Sequence, residues 1–238
     1  MNREYHRWYS PRLQRDMELL VFGHAGRAVI VFPTSHGAFY EYEDRGMVGC
    51  IADVLERGGV QLFCVDSVNS ESWYNYGAPP RWRVVRHMQY EDYLLHEVVP
   101  FVRTTNSSPL LGVTGCSFGG YHAANLALRF PELIDICISM SGAFDIKPHI
   151  MGYYDDDCYF HNPVDYLPNL SDERYLSLYR TRMRMILATG EWDICLGANM
   201  QLSGMLRDKG VDHLLDIWGD HAVHDWPLWH GMVRKFLA

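Results

Sequence analysis

Residues 110–130, LLGVTGCSFGGYHAANLALRF, decide how the rest of the chain is read. Leu110 to Thr114 is an apolar run of strand length. Gly120 to Phe130 is rich in Ala and Leu, has helical character, and is closed by Pro131. Between them Gly115-Cys116-Ser117-Phe118-Gly119 forms a G-x-S-x-G pattern. A serine at the apex of so sharp a strand-to-helix turn needs a strained backbone. Small residues two before and two after let the turn close without clashes. Gly115 and Gly119 meet that need, and Gly120 gives further room. The spacing predicts Ser117 at a helix N-terminus, where free amides and the helix dipole favour developing negative charge. A glycine-rich turn that only packs a helix on a strand is the plainer alternative, and strand, motif and helix in register argue against it. Cys116, one residue before the apex, is expected to point into the core.

Outward from this stretch, short apolar runs alternate with helical patterns. Strands are expected at Ala28–Phe32, Val60–Val65, Leu110–Thr114, Ile134–Met140, Arg184–Thr189 and Val211–Trp218. Helices are expected at Met47–Glu56, Tyr90–Val102, Gly120–Phe130, Leu196–Lys209 and Trp226–Leu237, with Pro100 kinking or ending the second. This alternation implies βαβ units and an α/β fold: a mostly parallel central sheet with helices on both faces. Right-handed crossovers put the C-terminal ends of the strands on one edge, where ligands bind. No repeat or linker divides the sequence, so residues 1–238 read as one domain. Segments 67–83 and 145–181 lack periodicity and are expected to shape a pocket at that edge.

Composition narrows the function classes. The chain has 48% hydrophobic and 21% charged residues, ordinary for a soluble globular protein, and a formal charge of −8. No basic patch is visible, which argues against a nucleic-acid partner. No run approaches the ~18 apolar residues of a membrane span. The first twenty residues carry charge throughout, unlike a secretory signal. Six scattered cysteines without a CxxC pair read as free thiols in a reducing cytoplasm.

A serine hydroxyl near neutral pH needs a histidine base, and that histidine needs an acid to fix its tautomer. With G-x-S-x-G the chain order is serine, acid, histidine. The acid should follow the next-to-last strand, where Gly190-Glu191-Trp192-Asp193 stands. Asp193 is the first choice and Glu191 the second. The base should follow the last strand, where His221 lies nearer the strand end and His224 immediately before the final helix. His221-x-x-His224 between Asp220 and Asp225 also invites a metal reading. Three or four converging ligands are required, and no further cluster supplies them, so no metal or other cofactor is expected. Acyl transfer further requires oxyanion donors. One is the backbone N–H of Phe118; the other comes from Pro33-Thr34-Ser35-His36-Gly37, with Ser35 the first choice and Thr34 the second.

These residues resemble the putative-esterase family of α/β-hydrolases, which contains esterase D (S-formylglutathione hydrolase) and the antigen 85 mycolyltransferases. The resemblance rests on YEDYLLHEVVPFVR (90–103), GCSFGGYHAANLALRFPE (115–132), TGEWD (189–193) and HDWPLW (224–229). It implies the α/β-hydrolase fold, a serine esterase, and Ser117, Asp193 and His224 as nucleophile, acid and base. FPTSHG departs from the family's usual oxyanion loop. The expected partner is a small-molecule ester, cleaved through an acyl-serine intermediate. Thioester hydrolysis and acyl transfer use the same residues, and a non-catalytic binding module is the competing class. Trp73, Tyr74, Tyr76 and Trp82 are candidates for the pocket wall.

Overall fold

The computed structural model describes all 238 residues, Met1–Ala238. Eight strands form one sheet: β1 (Arg3–Ser10), β2 (Arg15–Phe22), β3 (Arg27–Phe32), β4 (Val60–Val65), β5 (Leu111–Cys116), β6 (Ile136–Met140), β7 (Arg184–Gly190) and β8 (His213–Trp218). Their order is β1-β2-β4-β3-β5-β6-β7-β8. From β4 through β3 to β8 every pairing is parallel. β1 and β2 add an antiparallel edge.

Short helices α1 (Glu41–Asp44), α2 (Met47–Cys50) and α3 (Ala52–Glu56) lie between β3 and β4. α4 (Pro80–Tyr93) and α5 (Val99–Thr105) precede β5, and α6 (Phe118–Arg129) follows it. α7 (Asp156–Phe160), α8 (Pro163–Asn169) and α9 (Glu173–Thr181) lead to β7. α10 (Leu196–Asp208) joins β7 to β8, and α11 (Trp226–Leu237) ends the chain.

Strand side chains alternate between the two faces, so each inner strand feeds two cores. Ala28, Ile30 and Phe32 of β3 join Tyr90, Val98, Ala124 and Leu202 in one. Val29 and Val31 join Met47, Leu55, Met232 and Val233 in the other. That explains why the inner strands read as continuous apolar runs: all six residues of β4 are buried. No helix is long and apolar enough to cross a membrane.

The structure departs from the sequence reading in five places, the first being α4, which starts at Pro80 inside the expected irregular segment 67–83 and ten residues before the expected Tyr90. β1 and β2 were not expected. β1 is an edge strand whose exposed and half-buried residues alternate, and charges at Arg3, Glu4 and Arg7 hide its aromatic face. Pro100 does not end its helix. A π turn, Leu94–Val98, widens the ladder just before it and continues α4 into α5, accommodating the ring that would otherwise clash. The expected Met47–Glu56 helix breaks at Ile51, whose φ of −123° leaves the helical region. Segment 145–181 is not irregular, since it holds α7, α8 and α9. Pro163 and Pro168 within α8 and the shortness of α7 mask any period.

Candidate active site

β5 delivers Ser117 to the edge of the sheet, and α6 begins at the next residue. Ser117 has φ 55° and ψ −121°. A non-glycine residue held in so sparsely populated a region costs about 1–3 kcal/mol and persists only where its surroundings fix it. Here its N–H donates to the Met140 carbonyl at 2.8 Å, and its own carbonyl accepts from Gly120 N at 2.9 Å. The flanking glycines are obligatory. A Cβ on Gly115 would stand 2.4 Å from the Gly119 carbonyl carbon, and one on Gly119 2.5 Å from the Phe32 carbonyl oxygen. Both obstacles are backbone. Gly119→Ala is therefore expected to lose about 3 kcal/mol, the upper range for overpacking, read as a lower urea midpoint at unchanged slope. Cys116 is buried in the core on the α11 side, as expected, and burial pushes its thiol well above the usual range.

Three residues distant in sequence meet at this apex. His224 Nε2 lies 2.9 Å from Ser117 Oγ, and His224 Nδ1 lies 2.8 Å from Asp193 Oδ1. The Asp193 side chain is fully buried. Burial acts to raise its pKa; the neighbouring His224 ring, Ser141 hydroxyl and Cys195 amide outweigh this and hold the carboxyl below its ordinary value. The Cys195 N–H donates to Oδ1 at 2.7 Å.

The loops after β7 and β8 are stitched together by backbone. Glu191 N donates to Trp218 O at 2.9 Å, and Trp192 N to Ala222 O at 3.0 Å. A Cβ on Gly190 would sit 2.2 Å from that Ala222 oxygen, so the close approach requires glycine there. The two runner-up residues pair with each other instead: Glu191 Oε1 accepts from the His221 amide at 2.6 Å, and the exposed His221 ring packs on Trp192 at 3.9 Å. Asp225 caps α11 by accepting from Trp226 N. The His221-x-x-His224 histidines thus diverge. Asp193, Cys195 and His224 do bring ligand-type atoms within 4.8 Å. The 2.8 Å contact between Asp193 and His224 is a direct hydrogen bond, too short for both to share a zinc ion with bonds of about 2.0–2.2 Å.

The loop after β3 flanks the same apex. Thr34 is fully engaged: its N–H and its hydroxyl donate to the two Glu41 carboxylate oxygens, each at 2.8 Å. The Ser35 hydroxyl is bonded to Tyr74 OH at 2.7 Å. Its amide has no acceptor within the chain. Phe118, the first residue of α6, has an amide with no partner one turn earlier. Nothing in the sequence reading singled out Glu41, whose clamp distinguishes the two loop amides.

Aromatic rings line one side. Tyr74 packs edge-on against Phe118 at 5.1 Å and tilted against His149 at 4.6 Å. Tyr76 OH is 3.0 Å from His149 Nδ1, so the two expected pocket segments meet here. Trp73 instead lies fully buried, and Trp82 is exposed to solvent. Asp155, Asp156 and Asp157 lie at the start of α7, where Asp155 caps the helix and Asp157 pairs with Arg81 at 2.6 Å. Beneath Phe118, His122 bonds Asn69 at 2.8 Å, and burial lowers its pKa to about 3, leaving a neutral ring. Four cavities, of about 900, 510, 450 and 370 Å³, lie elsewhere. The largest is lined by His24, Arg27 and Arg103, and that of 450 Å³ by Tyr159, Tyr166 and Tyr175. Position and chemistry, not cavity size, mark the Ser117 edge.

A family profile described as "Putative esterase" matches residues 14–232. The chain belongs to that esterase family. It is an ester-hydrolysing enzyme, as the sequence resemblance implied. A search of curated proteins finds no match in sequence. Solved structures share the fold at low identity. A ferulic acid esterase is 16% identical with a TM-score of 0.80, covering 99% of this chain and 96% of its own. An S-formylglutathione hydrolase from Staphylococcus aureus is 15% identical with a TM-score of 0.75, covering 99% and 95%. One from Agrobacterium tumefaciens is 13% identical with a TM-score of 0.76, covering 99% and 92%. At these identities the likeness establishes the α/β-hydrolase fold, and the substrates in those names remain those proteins' own.

Proposed function

We propose that this esterase cleaves small-molecule carboxylic esters through an acyl-Ser117 intermediate. The observation that carries this reading is the continuous hydrogen-bonded line from Asp193 through His224 to a serine at the apex of the β5–α6 turn. An ionised carboxylate only accepts hydrogen bonds, so His224 Nδ1 carries the proton and Nε2 is left as the acceptor for the Ser117 hydroxyl. Nε2 takes that proton as Ser117 Oγ attacks the ester carbonyl. It returns it to the leaving alcohol when the tetrahedral intermediate collapses to the acyl-serine. Water then repeats the sequence and releases the acid. Asp193 stabilises the transient imidazolium without accepting its proton.

The oxyanion is assigned to the amides of Phe118 and Ser35, since the Thr34 amide is occupied by Glu41. The donor in this assignment is the Ser35 backbone. Ser35→Ala keeps the amide and is expected to hold kcat within about tenfold of wild type. Ser35→Pro removes the donor, and the expected loss is about 10²–10³ in kcat. Equal losses in the two variants would refute the backbone assignment. Six unpaired cysteines support the expected cytoplasmic setting.

Reaction with a fluorophosphonate probe followed by peptide mapping tests the whole reading. The adduct is expected on Ser117, with turnover of p-nitrophenyl acetate. A matched panel of esters and thioesters, with and without an acceptor alcohol, then ranks hydrolysis against acyl transfer. An unlabelled wild type with no turnover would falsify the proposal.

A further inference from the structure

Behind the Asp193–His224 pair lies a buried set of contacts that the mechanism above leaves unused. Asp193 Oδ1 is accounted for by the His224 ring and the Cys195 amide. Oδ2 is buried and has no partner at hydrogen-bonding geometry, a costly state for a carboxylate oxygen without a donor at hand. Ser141, the residue after β6, brings a hydroxyl to the neighbourhood of this carboxyl, and it is among the groups that hold Asp193 below its ordinary value.

Ser141 is itself held. Its Oγ accepts from Trp229 Nε1 at 2.8 Å. An indole N–H can only donate, so Trp229 takes a lone pair of that oxygen and leaves the hydroxyl proton to point at another acceptor. The same indole stands edge-on to His224, with centroids 5.0 Å apart and planes at 87°. Ser141 also has φ 54° and donates its N–H to Ala188 O at 2.7 Å. Glycine takes that backbone without steric cost. Serine there adds a hydroxyl that glycine lacks, and Trp229 holds it.

We propose that Ser141 and Trp229 are positioning residues: Trp229 orients the Ser141 hydroxyl, which steadies Asp193 Oδ2 and keeps Oδ1 aligned on His224. This rests on the roles assigned above to Ser117, His224 and Asp193. The other titratable group facing the pair is the Cys195 thiol, which burial raises to about 12 and keeps neutral. On the neighbouring loop, Asp225 turns to α11, and Glu191 and His221 pair at the surface.

The test compares Ser141→Gly, Trp229→Phe and the double variant in the full chain. Readouts are kcat, KM, the pH profile of kcat/KM and fluorophosphonate labelling. A hydrogen bond to a charged group predicts that Ser141→Gly lowers kcat about 10–100-fold with KM little changed. Without its donor the carboxylate becomes more basic and holds the imidazolium more tightly, so the acid limb moves to higher pH. Trp229→Phe keeps the ring edge on His224 and loses only the N–H, with a smaller fall in kcat. Because Trp229 acts through Ser141, the double variant is no slower than Ser141→Gly. Wild type labelled at Ser117, together with an unchanged kcat and pH profile in folded Ser141→Gly, overturns the positioning role alone. Failure to label wild type overturns the Ser117 reading and this inference with it.

Discussion

Ser117→Ala is expected to lower kcat for p-nitrophenyl acetate by about 10⁶-fold and to abolish fluorophosphonate labelling. The scale follows from serine enzymes in which removing the nucleophile costs about as much as removing the whole relay. The oxyanion donors and substrate binding are left, worth about 10³–10⁴ over the uncatalysed reaction. The fold is expected to survive. Alanine at φ 55° carries the same backbone strain as serine, and the substitution deletes only one hydroxyl at the open sheet edge. Thermal unfolding of wild type and variant should therefore nearly coincide. A variant that retains even a hundredth of wild-type turnover, with its melting curve intact, would place the reactive group elsewhere.

Asp193→Asn has the second largest expected effect, a fall of about 10⁴-fold in kcat at neutral pH. The buried carboxylate accepts from His224 Nδ1 at 2.8 Å and so selects the tautomer whose Nε2 faces Ser117. A carboxamide turned to donate its N–H selects the opposite tautomer and points a proton at the serine. The same substitution alters stability against pH. Asp193 has a depressed pKa in the folded protein, so it contributes stability above the ordinary aspartate pKa of about 3.9, and that contribution is lost as pH falls through the lower, folded value. Urea midpoints measured from neutral pH downward should show the variant lacking this part of the acid loss. Identical acid limbs in wild type and variant would show that the carboxylate is not held as described.

Much of the fold was legible because it is local. The β5–turn–α6 unit is set by residues within a few positions of one another, and the spacing Gly115-x-Ser117-x-Gly119 is a steric statement that any strand-to-helix turn this tight must satisfy. The inner strands were legible because burial on both faces leaves few polar positions in the run. The edge strand β1 was not, since one of its faces meets water and carries charge. The π turn before Pro100 was not, because propensity reads proline as a break and says nothing of how a neighbouring turn can widen.

The candidate site divides along the same line. Asp193 and the His221/His224 pair follow from chain order after the last two strands. The place before the final helix and the resemblance at HDWPLW favour His224 over His221, and across 107 residues His224 turns in to Ser117 while His221 turns out to Glu191. Ser35 ranks before Thr34 in the sequence reading, and the Glu41 carboxylate makes their amides differ in the structure. Ser141 and Trp229 read as an ordinary strand end and a packing residue until β6 and α11 are brought together.

By itself, then, the sequence determined a parallel α/β sheet with a strained serine at its edge and an acid and an imidazole on the loops beyond it, because steric and burial rules act over a few neighbouring residues. Only the tertiary structure decided which loop amide Glu41 occupies and which side chains stand behind Asp193 and His224, because hydrogen bonds of about 2.8 Å between distant segments depend on how the whole sheet stacks its loops.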